Sequence, residues 1–481
     1  MIGRSQPIPL GSRRKLKTHQ DLVRQIDQLF HPRSVAVVGA PRELKAGKVF
    51  LMALLDQKFP GPIYPVNPVA DEIDGLKAYP GVAAIPDQVD LAIVLVPRPM
   101  ALEAVRECGR KGIKGVVLFT SGFKETGSDE GRSLEAEIAR EAEAWGLRLL
   151  GPNCMGLYCP ESGLSFFPQL SRESGGVGFI SHSGSLANIL ARIAPTKGLA
   201  FSKAASLGNE CDLQSADMLL YLGQDPATMV IGAYLEGVKD GRYFFEALQE
   251  ASLEKPVILW RVGLTAEGSR AVASHTGALA GSEEIWRGVV RQAGAVEVVG
   301  FEALVDALIG FYLLPPNDLG PRMAVISGPG GLAVSAAEAC GREGLQLANP
   351  SPDTIARLAE FVPHSGTSLK NPIDVGLTAS MDLNIYFESI RTMLGDPGVD
   401  AVVVMGTGLS PELNDLYTRT LIRISGEFAK PLLVAAIPGF DTNLASKLLR
   451  AGVPFFASAE RAMHVYALVW KYQSWRSARQ S

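Results

Sequence analysis

Three times along this chain a short apolar run ends in a turn of glycine or serine, and a helical pattern follows. Residues 34–40 read Ser-Val-Ala-Val-Val-Gly-Ala, residues 177–185 Val-Gly-Phe-Ile-Ser-His-Ser-Gly-Ser, and residues 323–331 Met-Ala-Val-Ile-Ser-Gly-Pro-Gly-Gly. Short apolar runs bounded by turn residues read as buried strands. Strands alternating with helices predict an α/β protein with parallel, doubly wound sheets. In such sheets ligands sit beyond the carboxyl ends of the strands. A length of 481 residues suits roughly three domains. The turn-rich stretch Pro315–Pro321 reads as a linker. The expected division is an arm over 1–20, domains over 21–160 and 161–314, the linker 315–321, and a last domain over 322–481.

Composition excludes some classes. A net charge of −4 gives no reason to propose nucleic acid as a partner, and the basic run Arg13–Lys17 reads as a solvated arm. No apolar run approaches a membrane span, and residues 1–20 lack the apolar core of an export signal. The five cysteines, Cys108, Cys154, Cys159, Cys211 and Cys340, show no paired C-x-x-C spacing. The expectation is reduced thiols in the cytoplasm, no membrane and no metal site.

The first third lacks a dinucleotide fingerprint. There is no G-x-G-x-x-G, and the second strand, Ile63–Val66, runs into Asn67-Pro68 where an acid for ribose hydroxyls would stand. The turn after the first strand carries Arg42, Lys45 and Lys48 ahead of a helical pattern. Cations at a helix N-terminus suit a ligand with several phosphates, such as coenzyme A. The alternative is that they are ordinary exposed charges. Further loops fall at strand exits: Val96-Pro97-Arg98-Pro99, Thr120-Ser121-Gly122-Phe123 and Leu150 to Gly156. They suit a binding rim, although turn chemistry alone explains them too.

The second and third strand–turn–helix units are candidate anion cradles. A helix N-terminus presents free N–H groups and a positive dipole end. Ser183-Gly184-Ser185 opens one helix, and Gly328-Pro329-Gly330-Gly331 opens the other. A serine there is also a favoured N-cap, and both readings can hold together. Between them, after the apolar run Pro256–Trp260, residues 263–281 are almost all small, with His275 in their midst. Imidazole is a competent nucleophile at neutral pH. The stretch reads as a flexible loop with His275 phosphorylated during turnover; a surface histidine or a helix cap is the alternative. His275 is preferred over His182, which sits in a cradle rather than on a Gly-rich loop. Glu236 stands at the exit of the strand Met229–Leu235, where a carboxylate can orient an imidazole; an exposed acid is the plainer reading.

Together these residues resemble the α subunit of NDP-forming acyl-CoA synthetases, the ADP-forming acetate–CoA ligase group within the succinyl-CoA synthetase superfamily. The resemblance runs from about Asp21 to Trp470. It is carried by Arg33–Ala40, Ile63–Pro68, Gly151-Pro152-Asn153-Cys154, Ser206-Leu207-Gly208-Asn209, Tyr234-Leu235-Glu236-Gly237 and, above all, Ser274-His275-Thr276-Gly277-Ala278-Leu279-Ala280-Gly281. It implies three consecutive doubly wound domains: an N-terminal Rossmann-like CoA-binding domain, then two flavodoxin-like domains. It implies His275 as phosphohistidine with Glu236 as its partner. Phosphate would bind at Ser183, Gly184 and Ser185 and at Gly328, Gly330 and Gly331. The CoA residues would be Gly39, Ala40, Pro41, Arg42, Lys45, Lys48, Asn67, Val96, Pro97, Ser121, Gly122 and Asn153.

The implied reaction interconverts acyl-CoA, ADP and phosphate with a carboxylic acid, CoA and ATP through an acyl phosphate. ADP or ATP with Mg2+ would bind only through a separate ATP-grasp β subunit, since the chain ends soon after its third domain. A hetero-oligomer is therefore expected. Two stretches depart from the family pattern near the implied site. His182 stands where Gln is usual, and Glu210-Cys211 where Lys-Ala is common. A CoA- or acyl-CoA-binding regulatory protein without catalysis is the competing reading, and a nicotinamide oxidoreductase is disfavoured by the missing fingerprint.

Overall fold

The computed structural model describes residues 19–275, 282–439 and 443–480. They pack as two units: residues 19–169 with 205–224 and 273–275 in one, and 170–204, 225–272 and the described residues from 282 onward in the other.

The first unit opens with α1 (His19–Phe30), which buries Leu22, Ile26, Leu29 and Phe30 on one face at helical spacing. Its sheet contains β1 (Val35–Val38), β2 (Ile63–Val66), β5 (Leu91–Val94), β6 (Gly115–Leu118) and β7 (Arg148–Leu150), in the order β2-β1-β5-β6-β7 and all parallel. Between the second and third of these lies a short antiparallel pair, β3 (Glu72–Ile73) with β4 (Leu76–Lys77). The central strands are buried at every residue, because helices α2 (Lys48–Asp56), α3 (Arg98–Lys111) and α4 (Asp129–Trp145) cover a parallel sheet. At the foot of β1, Arg33 clasps Asp90, with Nε donating to Oδ2 at 2.9 Å and Nη2 to Oδ1 at 3.2 Å. Strand β8 (Gly156–Tyr158) and helix α6 (Ser215–Gln224) complete this unit.

The second unit carries two further sheets. In one, β9 (Ser174–Ser181), β10 (Phe201–Ser206), β11 (Val230–Leu235), β12 (Val257–Arg261) and β13 (Val296–Glu297) run in the order β13-β12-β11-β9-β10. Helices α5 (Gly184–Ile193), α7 (Gly241–Glu254), α8 (Ala266–His275), α9 (Glu283–Ala293) and α10 (Phe301–Leu313) belong to this part of the chain. The other sheet has β14 (Arg322–Ser327), β15 (Gln346–Leu347), β16 (Ile373–Asp374), β17 (Ala401–Met405), β18 (Leu432–Ala435) and β19 (Phe455–Phe456). Its order is β15-β14-β17-β18-β19, with β16 beside β14. Its helices are α11 (Gly330–Arg342), α12 (Pro352–Ala359), α13 (Asn384–Gly395), α14 (Pro411–Glu427), α15 (Asn443–Arg450) and α16 (Ala459–Gln480). The clasp recurs at the foot of β14, where Arg322 Nε donates to Asp400 Oδ2 at 3.0 Å and Nη2 to Oδ1 at 2.6 Å. Helix α16 packs on both α10 and α11. It also holds the linker: Gln473 Nε2 donates to Pro315 O and the Tyr466 hydroxyl to Gly320 O, both at 2.8 Å.

These three sheets meet the expectation of consecutive doubly wound α/β domains. One expectation fails. Residues 263–281 were to be a loop, yet Ala266–His275 is a helix. The reason is local. Thr265 Oγ1 accepts the N–H of Gly268 at 3.0 Å, Glu267 stands in the first turn, and Ala266, Arg270 and Ala271 favour helix. Thr276 to Gly281 lie outside the described residues, as does most of the arm 1–20.

Candidate active site

The residues expected to hold a phosphate-rich ligand fall in the first unit at the exits of its strands. Gly39 takes φ +85°, and a Cβ there would meet Val96 Cγ1 at 3.0 Å, so the turn after β1 approaches the exit of β5 closely only as glycine. Asn67 Nδ2 donates to Ala40 O at 2.9 Å, and its Oδ1 accepts the N–H of Val69. Asn67 thus fixes the Gly39-Ala40-Pro41 turn from inside. Arg42 and Lys45 are exposed on that turn, and Lys45 lies only 3.7 Å from Glu43. Lys48 departs from the expected cation trio. It is buried, with Nζ 2.8 Å from Asp74 and 3.3 Å from the carbonyls of Pro41 and Arg42. Sequence proximity to Arg42 suggested a shared role; the actual partner lies 26 residues away.

The rest of the rim follows the same logic. Val96 is buried, and its carbonyl accepts the Thr120 hydroxyl. Pro97 precedes α3 as its N-cap and is exposed. Ser121 is exposed, and Gly122 (φ +105°) accepts Arg98 Nη1 at 2.9 Å while donating to Glu125. Asn153 has φ +60° and lies 3.4 Å from Asn209 Oδ1 through Nδ2. Asn209 Nδ2 also joins two carboxylates, Glu125 at 2.6 Å and Glu135 at 2.7 Å. Glu210, one of the departures from the family pattern, is buried and accepts the N–H of Ser215 at 2.6 Å. It satisfies an orphan donor at the start of α6.

In the second unit the chemistry gathers where β9, β11 and β12 end. His182 follows β9 and is buried. Its Nδ1 accepts the backbone N–H of Glu236 at 3.0 Å. Glu236 follows β11 and is 2 % exposed, which overturns its reading as a surface acid. Burial and then the Glu236 carboxylate push the Tyr234 hydroxyl well above its usual range. Arg261 ends β12, pairs in register with Leu235, and lies with its Cζ 5.5 Å from the Trp286 ring. Burial lowers its pKa, while the charge of Glu236 acts the other way. A Cβ on Gly263 (φ +82°) would lie 3.1 Å from Val272 of α8, so glycine lets α8 approach the exit of β12.

The first cradle is capped by side chains. Ser183 Oγ accepts the N–H of Leu186 and lies 3.1 Å from Ser185 Oγ. Ser181 Oγ donates to Ser183 O at 2.7 Å. Capping and an open helix end coexist, since Ser183 and Gly184 are half-buried and Ser185 is exposed. The second cradle has the same serine brace, with Ser327 Oγ donating to Pro329 O at 2.9 Å, but no side-chain cap. There a Cβ on Gly330 would lie 2.6 Å from Asp374 Oδ2, and one on Gly328 2.2 Å from the Tyr386 hydroxyl. Gly331 is exposed. His275 is the last residue of α8.

Sequence reasoning missed Arg261, Tyr234 and Asp374. The first two could have been found by aligning the strand run 230–235 with 257–261, which brings Arg261 beside the residue before Glu236. Asp374 reaches α11 only through the pairing of β16 with β14, which a two-residue strand does not announce.

Comparison with known proteins follows this division. Residues 33–160 match a CoA binding domain, 174–310 a succinyl-CoA ligase like flavodoxin domain, and 323–480 a ligase-CoA domain. The chain is 36% identical over 453 residues to the alpha subunit of acetate–CoA ligase (ADP-forming) II of Pyrococcus furiosus, covering 92% of this chain and 97% of that one. It is also 36% identical over 450 residues to acetate–CoA ligase (ADP-forming) I of Archaeoglobus fulgidus, covering 93% of this chain but spanning only 64% of that protein's length. Among solved structures, it is similar to the dinucleotide forming acetyl-coenzyme A synthetase 1 of Ca. Korarchaeum cryptofilum in complex with phosphate and ADP. The TM-score is 0.85 at 34% identity, over 94% of this chain and 97% of that chain.

Proposed function

The chain belongs to the NDP-forming acyl-CoA synthetase family, alongside the α subunits of ADP-forming acetate–CoA ligases, and from that premise we propose that it is an acid–thiol ligase subunit. It interconverts acyl-CoA, ADP and phosphate with a carboxylic acid, CoA and ATP. The observation that carries this reading is likeness to a whole α subunit, 97% of its length at 36% identity.

CoA is a substrate of the domain matched over 33–160. The exposed Arg42 and Lys45, on a turn whose backbone Asn67 fixes, fit its phosphates. A phosphate oxygen attacks the acyl-CoA carbonyl carbon, the C–S bond breaks, and CoA leaves as thiol with an acyl phosphate behind. A ring nitrogen of His275 then attacks phosphorus; the P–O bond to the acyl group breaks and the carboxylate departs. Glu236, held in a buried carboxylate position, stabilises the cationic imidazole of that step. Phosphohistidine finally passes its phosphoryl group to ADP, giving ATP and a free imidazole. The helix ends at Ser183–Ser185 and Gly328–Gly331 stabilise the moving anion by position and charge. The nucleotide, with Mg2+, is held by a separate ATP-grasp β subunit.

The test supplies an ATP-grasp partner and γ-labelled ATP, then maps acid-labile label by mass spectrometry. Label on His275 that vanishes in His275→Ala is expected. Label elsewhere, or none, would overturn the reading.

A further inference from the structure

Arg261 is a cation with an unfinished set of partners. Its Nε and Nη1 are shielded from solvent, yet neither finds a hydrogen-bond acceptor among the described residues. Shielded donors left without acceptors are rare and unfavourable, because water has been removed and nothing replaces it. The side chain is nevertheless fixed. Its guanidinium lies over Trp286, whose indole Nε1 donates to Glu297 at 2.9 Å and whose ring packs 6.0 Å from Phe244. Glu236, following the neighbouring strand, acts on Arg261 through its charge and makes no hydrogen bond to either nitrogen.

Anion chemistry explains this arrangement. A carboxylate that steadies a cationic imidazole also repels a phosphoryl dianion near it. A guanidinium on the adjacent strand offsets that repulsion, and its planar donors match phosphoryl oxygens. We propose that Arg261 receives the phosphoryl oxyanion at the ends of β11 and β12, with Nε and Nη1 donating to its oxygens. This deepens the ligase reading and rests on it for the identity of the moving group. Free phosphate and a histidine-bound phosphoryl share this chemistry.

Calorimetric titration of the full chain with inorganic phosphate tests the proposal without requiring turnover. The wild type binds phosphate saturably, and Arg261→Gln weakens binding at least tenfold. Arg261→Lys recovers part of the loss, because it keeps the charge and loses the planar donors. Circular dichroism melts check folding, and Arg261→Lys, with an intermediate affinity, carries the test if the glutamine variant melts early. His275→Ala separates two arrangements of the bound ion: retained, Arg261-dependent binding places free phosphate on Arg261 without the imidazole, whereas weakened binding in that variant means that the imidazole and Arg261 share the ion, and either outcome supports the oxyanion role. Wild-type-like phosphate binding in both Arg261 variants, or none in the wild type, overturns it. Failure of the ligase reading looks different: no label reaches His275 while Arg261-dependent phosphate binding persists.

Discussion

The two helix ends at Ser183–Ser185 and Gly328–Gly331 arise from the same local grammar but are finished differently. Both follow a buried strand, and both use the strand's last serine to brace a carbonyl two residues on. The first is then closed by side chains: Ser183 caps α5, and the adjacent His182 is pinned by the backbone of Glu236. The second is closed by absence of side chains. Gly328 and Gly330 admit the Tyr386 hydroxyl and the Asp374 carboxylate to places a Cβ would occupy. The first end is thus surrounded by groups that can respond to a charge. The second already has an acid close to its helix N-terminus, held in part by the N–H of Gly376 at 2.9 Å. Equal sequence signals for an anion site can therefore conceal unequal chemistry.

The sharpest way to break this contrast is Glu236→Gln. It keeps the shape of the first site and removes the charge. Phosphoryl transfer measured in single turnovers should slow by roughly 10²-fold, with little change in thermal midpoint. A rate within twofold of wild type would mean that the buried acid is only structural.

The second end should fail by packing instead. Gly328→Ala drives a methyl toward the buried Tyr386 hydroxyl and should destabilise the chain by about 1–3 kcal/mol, read from urea denaturation. An unchanged midpoint would show that the glycine is not required by that approach.

What the sequence made legible follows the same divide. Strand exits and helix starts were plain, because apolar runs ending in Gly or Ser admit few alternatives, and β9, β12 and β14 begin or end within a few residues of the expected runs. The segment 266–275 was not plain. Small residues look like loop until Thr265 is seen to cap them. Lys48 and Asn67 looked like ligand-facing groups because their partners, Asp74 and the carbonyl of Ala40, are distant in sequence. Arg261 and Asp374 acquire meaning only from strand register, which composition does not encode.

A smaller effect separates capping from charge at the first end. Ser183→Ala should lose about 1 kcal/mol of stability, and Ser183→Gly only a few tenths. Equal losses would point to a role for the hydroxyl beyond the cap.

The smallest expected effect concerns the strand that feeds the second end. Burial raises the carboxyl of Asp400, but the hydrogen bonds and charge of Arg322 outweigh it, and its pKa lies below the usual value. A lowered folded pKa contributes stability above the unfolded value of roughly 3.9, and the contribution disappears as pH falls through the lower folded value. Asp400→Asn should therefore reduce the thermal midpoint at neutral pH and leave a shallower decline between about pH 5 and 3. Parallel acid melts of mutant and wild type would remove the clasp from the account.

The central claim is that the chain carries a phosphoryl group on one imidazole. Mass-spectrometric mapping after incubation with γ-labelled ATP and an ATP-grasp partner tests it directly. Acid-labile phosphate on His275, absent from His275→Ala and slow to form in Glu236→Gln, is the predicted result. Label that survives in His275→Ala, or that maps to His182, would contradict it.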